Sequence, residues 1–317
     1  MVTFPPVALP ACEPGFRPGR LDDQIHRWVA SEPMKALVAA YGESLPDAGV
    51  GDLLAWLDAF SGVHWDFRRH GRVERDQVTA PAFDAGRTEL IVAAATALRL
   101  VEAAPPPHSE YDHMLVLGGL GRACLQRSRY AAELALSGAV KVGEVAALGS
   151  FRPLTHAERE LPGLGGAAFE VDAMDVGVRA GFDLTRPVER EGLEGEWDVR
   201  TYRWPGQPEI HVLAAPSSEP AIRRANTADT YEFWAGRMRL RATDRILVVT
   251  TPIYVPFQHG DAIRILGLRH GCGIDTIGVD PSRVTVPFAP GATNPDRYLQ
   301  EMRSAIVSMR ALHQALP

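Results

Sequence analysis

Five short apolar runs, each set apart from the next by a helical stretch, fill the chain after residue 107, and this alternation is what most constrains the fold. The runs are His113 to Leu117, Ala139 to Leu148, Glu209 to Ala215, Arg245 to Thr250 and Ile274 to Val279. Between them, Arg122 to Leu136, Glu170 to Ala180, Ala228 to Leu240 and Gln258 to Leu268 read as helices. Strands that alternate with helices pair in parallel and are covered on both faces. The predicted fold is therefore α/β, a three-layer parallel sheet of about five strands. Arg186 to Pro208, charged and rich in Gly and Pro, reads as a loop with a hairpin. Asn294-Pro295 announces a last helix, with Tyr298, Met302, Ile306 and Met309 as its apolar face.

Ahead of residue 107 the texture changes. Leu21 to Ala104 is helical throughout, and Leu90, Ala94, Leu98 and Val101 form one stripe. Pro105-Pro106-Pro107 removes three backbone donors and is expected to end that helix. We divide the chain into an extended segment (1–20), a helical N-terminal subdomain (21–107) and a ligand-binding domain with a C-terminal helix (108–317).

Composition narrows the chemistry. Lys and Arg total 33 against 39 acids, a net charge of −6, so no general basic surplus is present to hold a nucleic-acid backbone. The lysines are Lys35 and Lys141, and neither follows a G-x-x-x-x-G loop, which excludes a Walker-type ATPase. Cys12, Cys124 and Cys272 are far apart and form no C-x-x-C pair, against a disulfide framework or a thiolate zinc site. Isolated pairs such as His156-x-Glu158 lack zincin spacing, so no metal is expected, and no G-x-S-x-G elbow occurs. With neither a signal sequence nor a long apolar run, the expectation is a cytoplasmic protein with no membrane or nucleic-acid partner.

Ligands of parallel sheets bind beyond the carboxyl ends of the strands, so each strand-to-helix junction is a candidate site. Gly118-Gly119-Leu120-Gly121-Arg122 stands between a strand and a helix and suits an anion, although Cys124 breaks the dinucleotide fingerprint. A tight turn needing glycine for packing is the alternative. Ser150 and Arg152 follow the second run, where a guanidinium suits a carboxylate or phosphate. Glu170 opens the next helix, as a general base or simply as an acid favoured by the helix dipole. Asn226 or Thr227 caps a later helix with Asp229 or Thr230 closing a capping box, while Arg223 and Arg224 just ahead of it call for an anion. Thr251, Tyr254, Gln258 and His259 follow the fourth run, and His259 is a candidate acid or base near neutral pH.

In this order the junctions resemble the SanA/ElyC/YdcF family of bacterial proteins. The matching stretches are Leu115 to Gly119, Glu170 to Met174, Asn226-Thr227 and Leu247 to Thr250, within about Tyr111 to Asp280. Tyr254 to Gln258 stands where that family has His-x-x-Arg-Ala, and Asp229 replaces the usual residues after Asn-Thr. The resemblance implies a Rossmann-like sheet. Its soluble YdcF branch, nearest in layout because of its extra helices, implies S-adenosylmethionine as a ligand to try.

The expected function is a cytoplasmic enzyme that binds a nucleotide-like or phosphorylated small molecule, by group transfer or hydrolysis. Its rival is a non-catalytic metabolite-binding or scaffold protein. Glu170, Asp229, Tyr254 and His259 are the catalytic candidates. Gly118, Gly119, Gly121, Arg122, Ser150, Arg152, Arg223, Arg224, Asn226, Thr227, Thr251 and Gln258 are the ligand-binding candidates.

Overall fold

The structure, a computed structural model, describes residues 2–15, 18–67, 82–284 and 294–317. Four helices precede the sheet: α1 (Leu21–Val29), α2 (Glu32–Ala39), α3 (Val50–His64) and α4 (Ala85–Ala97). The part of the helical reading across 68–81 lies outside the described residues. Helix α4 stops well before the prolines, not at them. Arg99 takes a left-handed conformation (φ 72°), and the N–H groups of Arg99 and Leu100 return to the carbonyls of Thr96 and Ala95. With buried Leu100 following it, this is a Schellman termination, which closes the helix without any proline.

The sheet has seven strands: β1 (Glu110–Leu117), β2 (Lys141–Gly149), β3 (Glu189–Leu193), β4 (Trp197–Tyr202), β5 (Glu209–Ala214), β6 (Arg245–Thr250) and β7 (Gly273–Gly278). Their order is β3-β4-β5-β2-β1-β6-β7. The last five in that order are parallel neighbours, and the β3–β4 hairpin is antiparallel. The parallel strands thus run third, second, first, fourth, fifth in chain order, a Rossmann-like layout whose direction reverses between β1 and β6.

Alternate side chains of each strand enter opposite cores, as the pleat requires. Met114, Val116, Val145, Ala147, Leu247 and Val249 pack beneath α5 (Gly121–Leu136) and α7 (Glu170–Phe182). Between those two helices lies the short α6 (His156–Arg159), which sequence periodicity did not signal. Leu115, Leu117, Ala146, Leu148, Ile246 and Val248 face the other way. That face is covered by α8 (Thr227–Arg237), by α9 (Val255–Ala262) continuing through a π turn (Ile263–Gly267) into α10 (Leu268–His270), and by α11 (Pro295–Gln314). Apolar residues of the N-terminal helices, such as Ile25, Leu37, Leu57 and Ile91, belong to this same continuous core. An extended N-terminal strap runs beside β7, where Cys12 bridges to Ile274. Among the described residues, no helix is long and apolar enough to cross a membrane.

Candidate functional site

The order of the parallel strands reverses between the tip of β1, Gly118-Gly119, and the tip of β6, Thr250-Thr251, the point at which sheets of this kind form a ligand crevice. Its floor is a side chain that the sequence reading passed over. Arg127 of α5, only 1% exposed, donates from Nη1 to the carbonyls of Leu117 (2.8 Å) and Gly118. Its Nε and Nη2 donate to Thr251 Oγ1 (3.1 and 3.0 Å), and its Cζ lies 5.7 Å from the centre of the Tyr254 ring. One guanidinium therefore ties the tips of β1 and β6 together. Its signal was legible: it falls on the buried stripe of α5 with Cys124, Ser128 and Ala131, where an arginine is out of place unless bonded.

Across the tip of β2, Ser150 Oγ donates to Glu170 Oε2 (2.9 Å), and Arg152 Nε approaches the same oxygen (3.3 Å). Glu170 is 9% exposed. Its Oε1 lies against Gly118, where a Cβ would collide with it, and has no hydrogen-bond partner among the described residues. Burial raises the Glu170 carboxyl above the ordinary range, opposed by the charges of Arg152 and Arg127 and the Ser150 hydroxyl.

Arg152 continues to a second carboxylate, Glu158 of α6. Its Nη1 and Nη2 meet Glu158 Oε2 (3.0 Å) and Oε1 (2.8 Å), and Nη2 also donates to the Gly119 carbonyl (2.8 Å). Glu158 Oε1 in turn accepts the Gly121 N–H (2.7 Å), so the start of α5 holds a carboxylate of the protein itself. Burial opposes ionisation of Glu158, yet bonds from Arg152 and the N–H groups of Thr155 and Gly121 hold its pKa at about 2. Thr155-x-x-Glu158 is a capping box, the sequence signal that would have found this residue.

Two expectations are corrected at the other junctions. Arg223 is no unpaired cation awaiting an anion: it bonds Asp229, Glu219 (2.7 Å) and Ser218 Oγ (2.8 Å). Asp229 accepts the N–H groups of Asn226 (2.8 Å) and Ser218 (3.2 Å), and the Asn226 side chain accepts the Asp229 N–H (3.1 Å). Despite burial, these partners hold the Asp229 carboxyl at about 2, so it braces the loop before α8 as an anion and is a poor proton donor. Thr227 opens α8 and its carbonyl accepts the Thr230 hydroxyl, while Arg224 lies exposed in that loop and Arg122 half-buried in the first turn of α5.

His259 is the second correction. It is buried, with Nε2 2.7 Å from the Pro10 carbonyl and Nδ1 3.0 Å from Thr276 Oγ1. Since a carbonyl only accepts, Nε2 carries the proton and the threonine hydroxyl donates to Nδ1. Both nitrogens are thus spent on fastening the strap to β7, away from the crevice, and burial lowers the imidazole pKa. Gln258 is likewise buried and takes the Thr250 hydroxyl. The crevice therefore gathers Gly118, Gly119, Gly121, Ser150, Arg152, Glu170, Thr251 and Tyr254 from the expected set, and adds Arg127 and Glu158. Among the described residues, no three His, Cys, Asp or Glu side chains converge to hold a metal ion.

The chain also matches known proteins. The Rv3785 N-terminal domain model matches residues 12–99. The uncharacterized protein Rv3785 of Mycobacterium tuberculosis is 30% identical over 338 residues, covering 97% of this chain and 93% of that protein. The uncharacterized protein Mb3814 of Mycobacterium bovis matches with the same identity and coverage. No solved structure matches the chain. These matches overturn the resemblance to SanA/ElyC/YdcF, whose four short motifs fall on two strand ends and two helix starts of a kind common to parallel sheets, and the S-adenosylmethionine it implied goes with it. Helical N-terminal segment and sheet alike, the chain belongs to the Rv3785 family.

Proposed function

We propose that this protein is a cytoplasmic enzyme of small-molecule metabolism that takes a phosphorylated or nucleotide-like ligand into the crevice between β1 and β6. One observation carries the reading: Glu170 is nine-tenths buried, its Oε2 is pinned by Ser150 and Arg152, and its Oε1 is left at the tip of β1 without a partner among the described residues. A carboxyl of raised pKa at a strand end is suited to give or take a proton. Arg152 and Arg127 beside it supply positive charge for a phosphoryl oxygen. Hydrolysis and transfer of a phosphoryl-linked group both fit that arrangement. Three cysteines that are all free thiols accord with a reducing compartment.

The test is a thermal-shift and turnover screen of nucleoside phosphates and sugar phosphates on the wild-type protein and Glu170→Gln. A ligand should raise the unfolding midpoint of both proteins. Turnover should fall about 10²-fold or more in the variant. A panel in which nothing raises the midpoint refutes the reading. One observation favours a non-catalytic metabolite-binding protein instead: His259 and Asp229 are consumed by structural bonds. Binding without product would decide for it.

A further inference from the structure

We propose that Glu158 is a built-in competitor, occupying the place of the ligand's anionic group until the ligand displaces it. The inference rests on the reading that the crevice takes a phosphorylated ligand, and adds how that site is regulated.

Glu158 is held by a donor set that would serve a phosphate equally well. A main-chain N–H at the start of the 16-residue helix α5 (Gly121, 2.7 Å), a two-pronged guanidinium (Arg152, 2.8 and 3.0 Å) and a second main-chain N–H (Thr155, 2.9 Å) converge on its two oxygens. Helix starts and forked guanidiniums are the usual partners of phosphate oxygens. Glu158 is a buried charge, not an apolar member of the core at this end of the sheet. It arrives on a four-residue helix, within the long connection from β2 to α7. Connections of that length within a compact domain are commonly lids or binding loops.

An independent observation points to a ligand in the same place. Glu170, nine-tenths buried, presents the partnerless Oε1 against Gly118, three residues before the helix start. Arg152 touches both carboxylates, so a phosphate that replaces Glu158 on Arg152 lies on the same guanidinium as the candidate proton donor.

Displacement is coupled to movement of the connection. Leu164 packs on the helix start, its Cδ1 2.8 Å from where a Cβ of Gly121 would be. Releasing Glu158 therefore loosens α6 together with the Leu164 contact. The fraction of molecules with Glu158 released scales the apparent affinity for the anion. A variant unable to compete should bind more tightly.

The probe is inorganic phosphate, titrated at constant ionic strength into the full chain and followed by calorimetry and by the backbone amide resonances. Glu158→Gln keeps the shape and removes the charge, and should bind phosphate about tenfold more tightly than wild type, or better. In the wild-type protein, the Gly121 amide and Arg152 Nε–H resonances should be among those that move. Equal affinity in the two proteins overturns the competition while leaving the crevice reading intact. If the variant does not fold, wild type decides: phosphate that binds without moving Gly121 overturns the inference. If neither phosphate nor any nucleotide binds either protein, both the inference and the reading beneath it fail.

Discussion

Glu170 fills the space that a side chain at position 118 would need. Its Oε1 lies against the Gly118 Cα, and the Leu148 carbonyl would be 2.6 Å from an added Cβ on the same side. Glycine is required here for close approach and not for a left-handed turn, since Gly118 is not among the positive-φ glycines. Gly118→Ala should force the carboxylate out of its seat. Overpacking of this kind costs about 1–3 kcal/mol. Urea unfolding of the variant checks the loss, and wild-type stability would contradict the packing described.

Arg223→Ala should destabilise the protein. The substitution leaves the buried Asp229 without its cation and removes the links to Glu219 and Ser218. Loss of a charge-assisted bond is worth about 1.5–3 kcal/mol. Arg224→Ala, at an exposed position of the same loop, is the comparison and should cost less. Unfolding midpoints of the pair test the difference in sign and order.

Stability should fall in acid as Glu158 is protonated. Its carboxyl is held at about 2 in the fold against an ordinary 4.5. A depressed folded value stabilises above the unfolded pKa and is lost as pH drops through the folded one, so the window is about pH 4.5 down to 2. The contribution at neutral pH is on the order of 3 kcal/mol. Denaturant titrations from about pH 6 down to about pH 2.5 should show that slope, and Glu158→Gln should flatten it.

The strap should loosen on mild acidification. His259 is neutral in the fold, and burial lowers its pKa from the ordinary 6.5. A lowered histidine contributes stability above 6.5 that is lost as pH falls from there toward the folded value. Hydrogen exchange of the Ile274 amide, bonded to the Cys12 carbonyl at 2.7 Å, should accelerate at about pH 5 relative to about pH 7.5 once intrinsic rates are removed. His259→Gln should abolish that dependence. Exchange independent of pH in wild type would contradict the role given to His259.

Local pattern carried the sheet and lost the network. The run Arg245 to Thr250 is β6 to the residue, and the Asn294-Pro295 signal marks the start of α11, because apolar period and cap chemistry are properties of neighbouring residues. The β3–β4 hairpin lies inside the charged stretch read as loop and hairpin. What escaped was which side chains pair, at short range as well as long. Nothing near Arg223 announced that Asp229 and Glu219 would both turn toward it, and nothing near His259 announced the Pro10 carbonyl 249 residues away. Arg127 and Glu158 were within reach of local rules, on a buried helical stripe and in a capping box. Reading only strand tips left them aside. Gly121 was read as suiting an anion or a packed turn, and a sequence does not show which carboxylate arrives from the β2–α7 connection.

The strap beside β7 has a consequence for how the molecule meets copies of itself. A parallel sheet that ended in a bare β7 would offer a row of unsatisfied main-chain groups as a template for another chain. The Cys12 bridge and the Gly15 N–H bond to the Gly271 carbonyl occupy that border with the protein's own backbone. The opposite border is protected differently: every residue of β3 is exposed, and Glu189, Arg190 and Glu191 place charges along it. One border is thus sealed by a removable segment and the other by charge, so detaching the strap would convert a self-limiting sheet into one open to growth on a single side.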